Sequence, residues 1–200
     1  MQKRRKVLHP LEDLPREHGE TCPSMEWWRV HRCFSFIVDC KPLAEVICGH
    51  VPLSTLDMAP MFERMTAALF KLVENDWSMY QEVGDPVIWH RREYNKIADY
   101  VVNNTMDRKT SWHQDFKPPL LDFTPLEANF ICHSDGGTRA ESCSAAGWFL
   151  EAVVIRGELR YTFPVAMHGQ FFSEPISSFL AEAIAVDEAI AYFSKLVSEL

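Results

Sequence analysis

The stretch NFICHSDGGTR, residues 129–139, runs apolar up to Asp135 and then breaks on Gly136 and Gly137. Side chains alternate along an extended chain, which puts Asp135 on one face with Ile131 and His133. Taken alone, Asp-Gly reads as a turn opening a hairpin. AAGWFLEAVVI (145–155) and ELRYTFPVA (158–166) are two further strand-like runs, separated only by Arg156 and Gly157. Three consecutive antiparallel strands are therefore expected. Behind them Ser177 and Ser178 are good N-caps. Phe179, Ala183, Val186, Ile190, Phe193 and Val197 then repeat at spacings of four and three, which predicts a helix. At about 100° per residue Glu188 points away from this stripe, towards solvent, while Glu182 falls on its border in the first turns. A carboxylate there is costly to bury without a partner.

Upstream, CFSFIVD (33–39) has the length and composition of a strand, and KPLAEVICGH (41–50) continues as a helix that Gly49 stops. Residues 58–74 place Met61, Met65, Ala68, Leu69 and Leu72 on one face behind Pro60, a second helix. Gly84-Asp85-Pro86 is a turn and Val87–Trp89 a short strand; KIADYVVNNTMD (96–107) reads as a third helix with Asn95 as its N-cap. Residues 108–128 carry Lys117-Pro118-Pro119 and no period, so they read as a connector. Residues 1–28 are charged and proline-bearing and read as a flexible tail. Order is expected from Trp27 and Trp28, in one domain over 29–200.

A chain of 200 residues with 47% apolar side chains can bury one sizeable core. Its net charge of −8 sets it against nucleic-acid binding through bulk positive charge, leaving local patches or metal-neutralised carboxylates. The six cysteines form no C-x-x-C pair, and the basic start leads into LEDLPREHGE rather than an apolar signal region. An intracellular chain with reduced thiols, in cytoplasm or nucleus and without a membrane span, is the expectation. Asp39 and Asp135 end apolar strands, Asp99 lies in a first helical turn and Glu182 on an inward helix border. Together they have the oxygen-donor composition of a hard-cation site, and a cation would relieve their mutual repulsion.

These residues resemble a type 1 ribonuclease H domain of the reverse-transcriptase-associated and plant-type branch. NFICHSDGGTR, AAGWFLEAVV and SSFLAEAIAVDEAIAYF match its first half, three antiparallel strands and a helix; Asp135-Gly136-Gly137 stands at the family's Asp-Gly-small motif and Ala181-Glu182 at its Ala-Glu pair. FSFIVDCKPLAEVICG resembles the fourth strand and its helix, and VIWHRREYNKIADYVVNNTMD the fifth strand and last helix. The family order is thus circularly permuted, with 29–107 as the second half, 108–128 as a connector and 129–200 as the first half. The resemblance implies an α/β, ribonuclease H-like fold: a five-stranded mixed sheet, three strands antiparallel and two parallel, with helices on both faces. It implies Asp135, Glu182, Asp39 and Asp99 as catalytic ligands of two Mg²⁺, with Mn²⁺ able to substitute, cleaving RNA in an RNA/DNA hybrid. Arg139, Asn95, Arg92 and His90 are the implied substrate contacts, although the family's catalytic-loop histidine aligns with Trp89, one position before His90. A monomer is expected, with a chain-exchanged dimer as the alternative. The rival reading is a non-catalytic nucleic-acid-binding remnant of a retroelement.

Overall fold

The computed structural model describes residues 33–54, 56–74, 86–116, 128–139, 142–156 and 159–198. The predicted tail, Trp27 and Trp28 lie outside them. The elements are β1 (Cys33–Val38), α1 (Lys41–Ile47), α2 (Ala59–Glu74), β2 (Val87–Trp89), α3 (Lys96–Arg108), β3 (Trp112–Asp115), β4 (Ala128–Arg139), β5 (Cys143–Arg156), β6 (Leu159–Phe172) and α4 (Ser178–Ser198). Among the described residues the protein is α/β, with four helices and one six-stranded mixed sheet in the order β2-β1-β4-β5-β6-β3. β1 runs parallel to β2 and β4, and the β4-β5-β6-β3 side is antiparallel.

The sixth strand corrects the five-stranded expectation, and it lies inside the stretch read as a connector. Its sequence, WHQD, is mostly exposed and has no apolar alternation to betray it. Its hold on the sheet is tertiary. Trp112 pairs with Gly169 and donates its indole N–H to Thr105 Oγ1 at 2.8 Å, while Asp115 accepts from the Tyr192 hydroxyl at 2.7 Å. The Asp-Gly-Gly turn reading is also corrected. β4 runs straight through it to Arg139, with Asp135, Gly136 and Gly137 paired to Gly147, Ala146 and Ala145. Cross-strand pairing outweighs the local turn preference of Asp-Gly. Local signals hold elsewhere: Gly49 adopts φ 76 just past α1, and the Ser177 hydroxyl accepts from Leu180 N–H at 3.2 Å to cap α4.

The two faces of the sheet carry different helices. Phe36, Val38, Phe130, Leu150 and Val154 pack with Leu43 of α1, Met65 of α2 and Val186, Ile190 and Phe193 of α4 in the main core. Each large apolar side chain buried there contributes roughly 1.5–3 kcal/mol before entropy is counted. Val102 and Met106 of α3 cover the other face, with Cys143 and Ala145. One cross-strand row on this second face reads Asp135, Gly147, Gly169, Trp112. A Cβ on Gly147 would meet Val101 Cγ1 at 2.8 Å, and one on Gly169 would meet Thr105 Oγ1 at 1.9 Å, so this row lets α3 lie close against the sheet.

The adjacent row on the first face reads Ser134, Trp148, His168, His113 beneath α4. It corrects the placing of Glu188 in solvent: that side chain is 28% exposed, with its carboxylate 3.5 Å from His168 Nε2, and burial pushes its pKa up to about 7. The long β5-β6 hairpin widens the sheet under α4, so more than the apolar stripe of the helix is covered. No helix among the described residues is long and apolar enough to cross a membrane.

At Gly136 the sheet meets α4. A Cβ there would lie 2.1 Å from Glu182 N and 2.3 Å from Ala181 C, backbone atoms that cannot rotate aside. Gly136→Ala is expected to lower unfolding free energy by about 3 kcal/mol or more in denaturant titrations. Gly137→Ala would meet Val102 Cγ1 at 3.0 Å and Met106 Cε at 3.4 Å, side chains able to shift, and is expected to cost about 1 kcal/mol.

Candidate metal centre

β1 pairs with β4 up to Ile37 opposite His133 and ends at Val38, while β4 continues to Arg139. Two residues beyond the last pair, Asp39, just past the end of β1, stands level with Asp135 in the continuing β4. The gap left where β1 stops is filled from above by the first turns of α4, which the missing side chain of Gly136 lets close enough to bring in Glu182. Ligand oxygens of Asp39, Asp135 and Glu182 all lie within 4.8 Å of one another. Asp135 is 3% and Glu182 8% exposed. Three of the four acids singled out from the sequence are thus brought together from three separate elements.

Backbone contacts fix this arrangement. Asp135 Oδ1 accepts from Gly136 N–H at 2.8 Å. The Trp89 indole donates to the Asp39 carbonyl at 3.0 Å, and His90 N–H donates to the Val38 carbonyl at 2.9 Å, tying the end of β1 to that of β2. Burial, and then the neighbouring Asp135 and Asp39 charges, push the Glu182 carboxyl up to about 10. Burial and Asp39 push Asp135 up to about 7, against the opposing pull of Arg92. Asp39 Oδ1 and Glu182 Oε2 are buried without a hydrogen-bond partner. Hard oxygen donors, mutual repulsion and two orphaned carboxylate oxygens are the features that a divalent cation would satisfy together.

Asp99 is held one step away. Its carboxylate takes the Arg92 guanidinium at 2.5 Å and the Asn103 amide at 3.1 Å, and Arg92 Nε lies 4.0 Å from Asp39 Oδ2. Arg92 therefore stands between Asp99 and the three clustered acids, an exposed cation beside the site. Asn95 stands at the N-cap of α3 as expected, although its side chain makes no cap hydrogen bond, and it corrects one expectation: it is fully buried, out of reach as a substrate contact. It donates instead to the Ser134 carbonyl at 2.8 Å, pinning the start of α3 to the strand position before Asp135. His90 is exposed and edges onto Tyr94, with ring centroids 5.9 Å apart. Arg139 lies further along β4, paired with Asp107 at 2.6 Å. Trp89 and Ser134, which position two of the acids, carried no signal of that role, because both contacts end on a backbone carbonyl, that of Asp39 for Trp89 and that of Ser134 itself for Asn95. No family model and no curated protein matches this chain.

The raised carboxyls give a pH dependence with a definite sign. Asp135 and Glu182 ionise near 3.8 and 4.5 when unfolded and near 7 and 10 when folded, so the folded chain holds more protons in between. Their stabilising contribution is complete below the unfolded values and is lost as pH rises through the folded ones. In a chelator, the melting temperature is expected to fall from about pH 5 to about pH 8, and Glu182→Gln to flatten that fall. Parallel melting curves for the two proteins would contradict the assignment.

Proposed function

We propose that this chain is a metal-dependent endonuclease of ribonuclease H type, cutting the RNA strand of an RNA/DNA hybrid. The observation that carries the reading is the convergence of Asp39, Asp135 and Glu182 within 4.8 Å, from the end of β1, the adjacent parallel β4 and the start of a helix. Support for a permuted ribonuclease H-like arrangement comes from β1 and β2 lying parallel beside β4 of a three-stranded antiparallel unit, within one chain. Asp39, Asp135 and Glu182 would hold Mg²⁺ or Mn²⁺, with Asp99 adjacent through Arg92. Once bound, the metal supplies Lewis-acid activation of a water and charge stabilisation at the leaving oxygen of a phosphodiester.

The remaining work falls to the protein. Gly136 and the Trp89–Asp39 contact hold the three carboxylates in place, and Asn95 fixes the strand carrying Asp135 against α3. Arg92 offsets part of the negative charge and is exposed enough to swing to a backbone phosphate. The rival, a non-catalytic nucleic-acid-binding remnant, draws on that same arginine, a cation already standing at the acids.

The test is cleavage of a labelled RNA/DNA hybrid in Mg²⁺ and in Mn²⁺. Asp135→Asn or Glu182→Gln is expected to lower the rate by at least about 10²-fold, since loss of outer-shell partners alone costs 10–100-fold. Binding of the hybrid without any cleavage by the unmodified chain in either metal would favour the remnant.

A further inference from the structure

Beyond Asp135 on the same face of β4, a cleft of about 380 Å³ opens between the end of α3 and Ser142, just before β5. Lys109, Arg139 and Ser142 supply its polar wall, with Met106 and Phe171 as apolar lining. We propose that this cleft is a phosphate-binding subsite for the nucleic-acid backbone, with Lys109 and Arg139 as its cations and the Ser142 hydroxyl as a further donor. The proposal rests on the endonuclease reading above and adds a second point of attachment to it.

Register places the subsite. Asp135, Gly137 and Arg139 alternate onto one face, so the cleft lies about 13 Å from the clustered acids at roughly 3.3 Å per strand residue. At about 3.4 Å of helical rise per nucleotide in each strand, that separation corresponds to about four nucleotides along a bound duplex. The charge is local and arranged. One arm of the Arg139 guanidinium is fixed by Asp107 at 2.6 Å, and the other lies 3.5 Å from the Asn103 carbonyl. Lys109 is exposed and has no ion-pair partner among the described residues. Arg108 beside it lies over the Trp112 ring, 5.3 Å from its centroid. In a chain of net charge −8, a polyanion must be gripped by cations grouped in this way.

The backbone at Lys109 adds an independent pointer. It caps α3 at φ 53, with its N–H on the Thr105 carbonyl at 3.0 Å, and it is the one non-glycine residue with positive φ among the described residues. Glycine or asparagine fits that position with less strain. A lysine there sacrifices some stability, and it lines the cleft.

The experiment measures hybrid binding by the full chain carrying Asp135→Asn, which separates affinity from turnover, across a range of salt concentrations. Lys109→Gly suits the left-handed backbone, so it removes the cation without threatening the fold, and its melting temperature should equal or exceed that of its parent. Affinity is expected to fall several-fold, and the slope of log K against log salt to lessen by about one. Arg139→Gln should behave alike in affinity, and a hybrid with one neutral methylphosphonate linkage should lose affinity at a single position about four nucleotides from the cleavage point. If both variants bind with unchanged affinity and slope while the unmodified chain cleaves hybrid, the subsite is overturned and the endonuclease reading stands. If the chain binds hybrid without cleaving it and Lys109→Gly still reduces the slope, the subsite stands and the catalytic reading falls. Absence of any hybrid binding overturns both.

Discussion

Where α4 crosses β4, at Gly136, the two backbones approach so closely that no side chain fits between them. That contact sets the height of Glu182 over the sheet, and hence whether a helix carboxylate can reach the carboxylates of Asp39 and Asp135 at all. It depends in turn on β1 stopping at Val38, because a longer β1 would fill the space the acids share. The main core is therefore also the scaffold of the site: Val186, Ile190 and Phe193 hold α4 against Phe130, Leu150 and Val154 about one to three turns from Glu182.

The opposite face solves a related problem with different means. α3 has to bring Asn95 and Asp99 beside Asp135 at one end, and it does so by lying along the glycine pair Gly147 and Gly169. With a low floor under its middle, its start reaches the Ser134 carbonyl. Glycine in a strand interior weakens the strand through lost packing and greater unfolded-state entropy. Here the close seat of α3, with Val101 and Val102 buried against the sheet, offsets that weakness.

Much of this was legible in the sequence, and the exceptions share a cause. Asp39, Asp135 and Glu182 stood out because acids at the ends or borders of apolar runs violate the pattern that surrounds them, and that violation is local. The strands and helices announced themselves through periods of two and of three to four. β3 did not, because WHQD is bound to the sheet by its backbone ladder and by Thr105 and Tyr192, residues distant in sequence. Asp-Gly-Gly read as a turn because the local preference is real, and only twelve paired residues of β5 override it. Glu188 read as solvated because helical angle measures distance from the stripe, not the width of the sheet beneath. Asn95 does stand at the N-cap of α3, but its burial, and so its loss as a substrate contact, was hidden because its amide is committed to the Ser134 carbonyl of another element.

The site therefore carries a conflict that the rest of the molecule tolerates. Three carboxylates are held within 4.8 Å in partial burial, and Arg92, 4.0 Å from Asp39, is too exposed to neutralise them. Left alone, such a cluster relaxes in one of two ways: its members keep protons, as the raised Asp135 and Glu182 values indicate, or they recruit a cation. The first route destabilises the chain as pH rises, and the second converts the same repulsion into affinity. Strain of this kind, set between a rigid core and an immovable backbone contact, is what a divalent ion among the carboxylates would relieve. A cation among the acids would also repel the exposed Arg92 guanidinium, which lies 4.0 Å from Asp39.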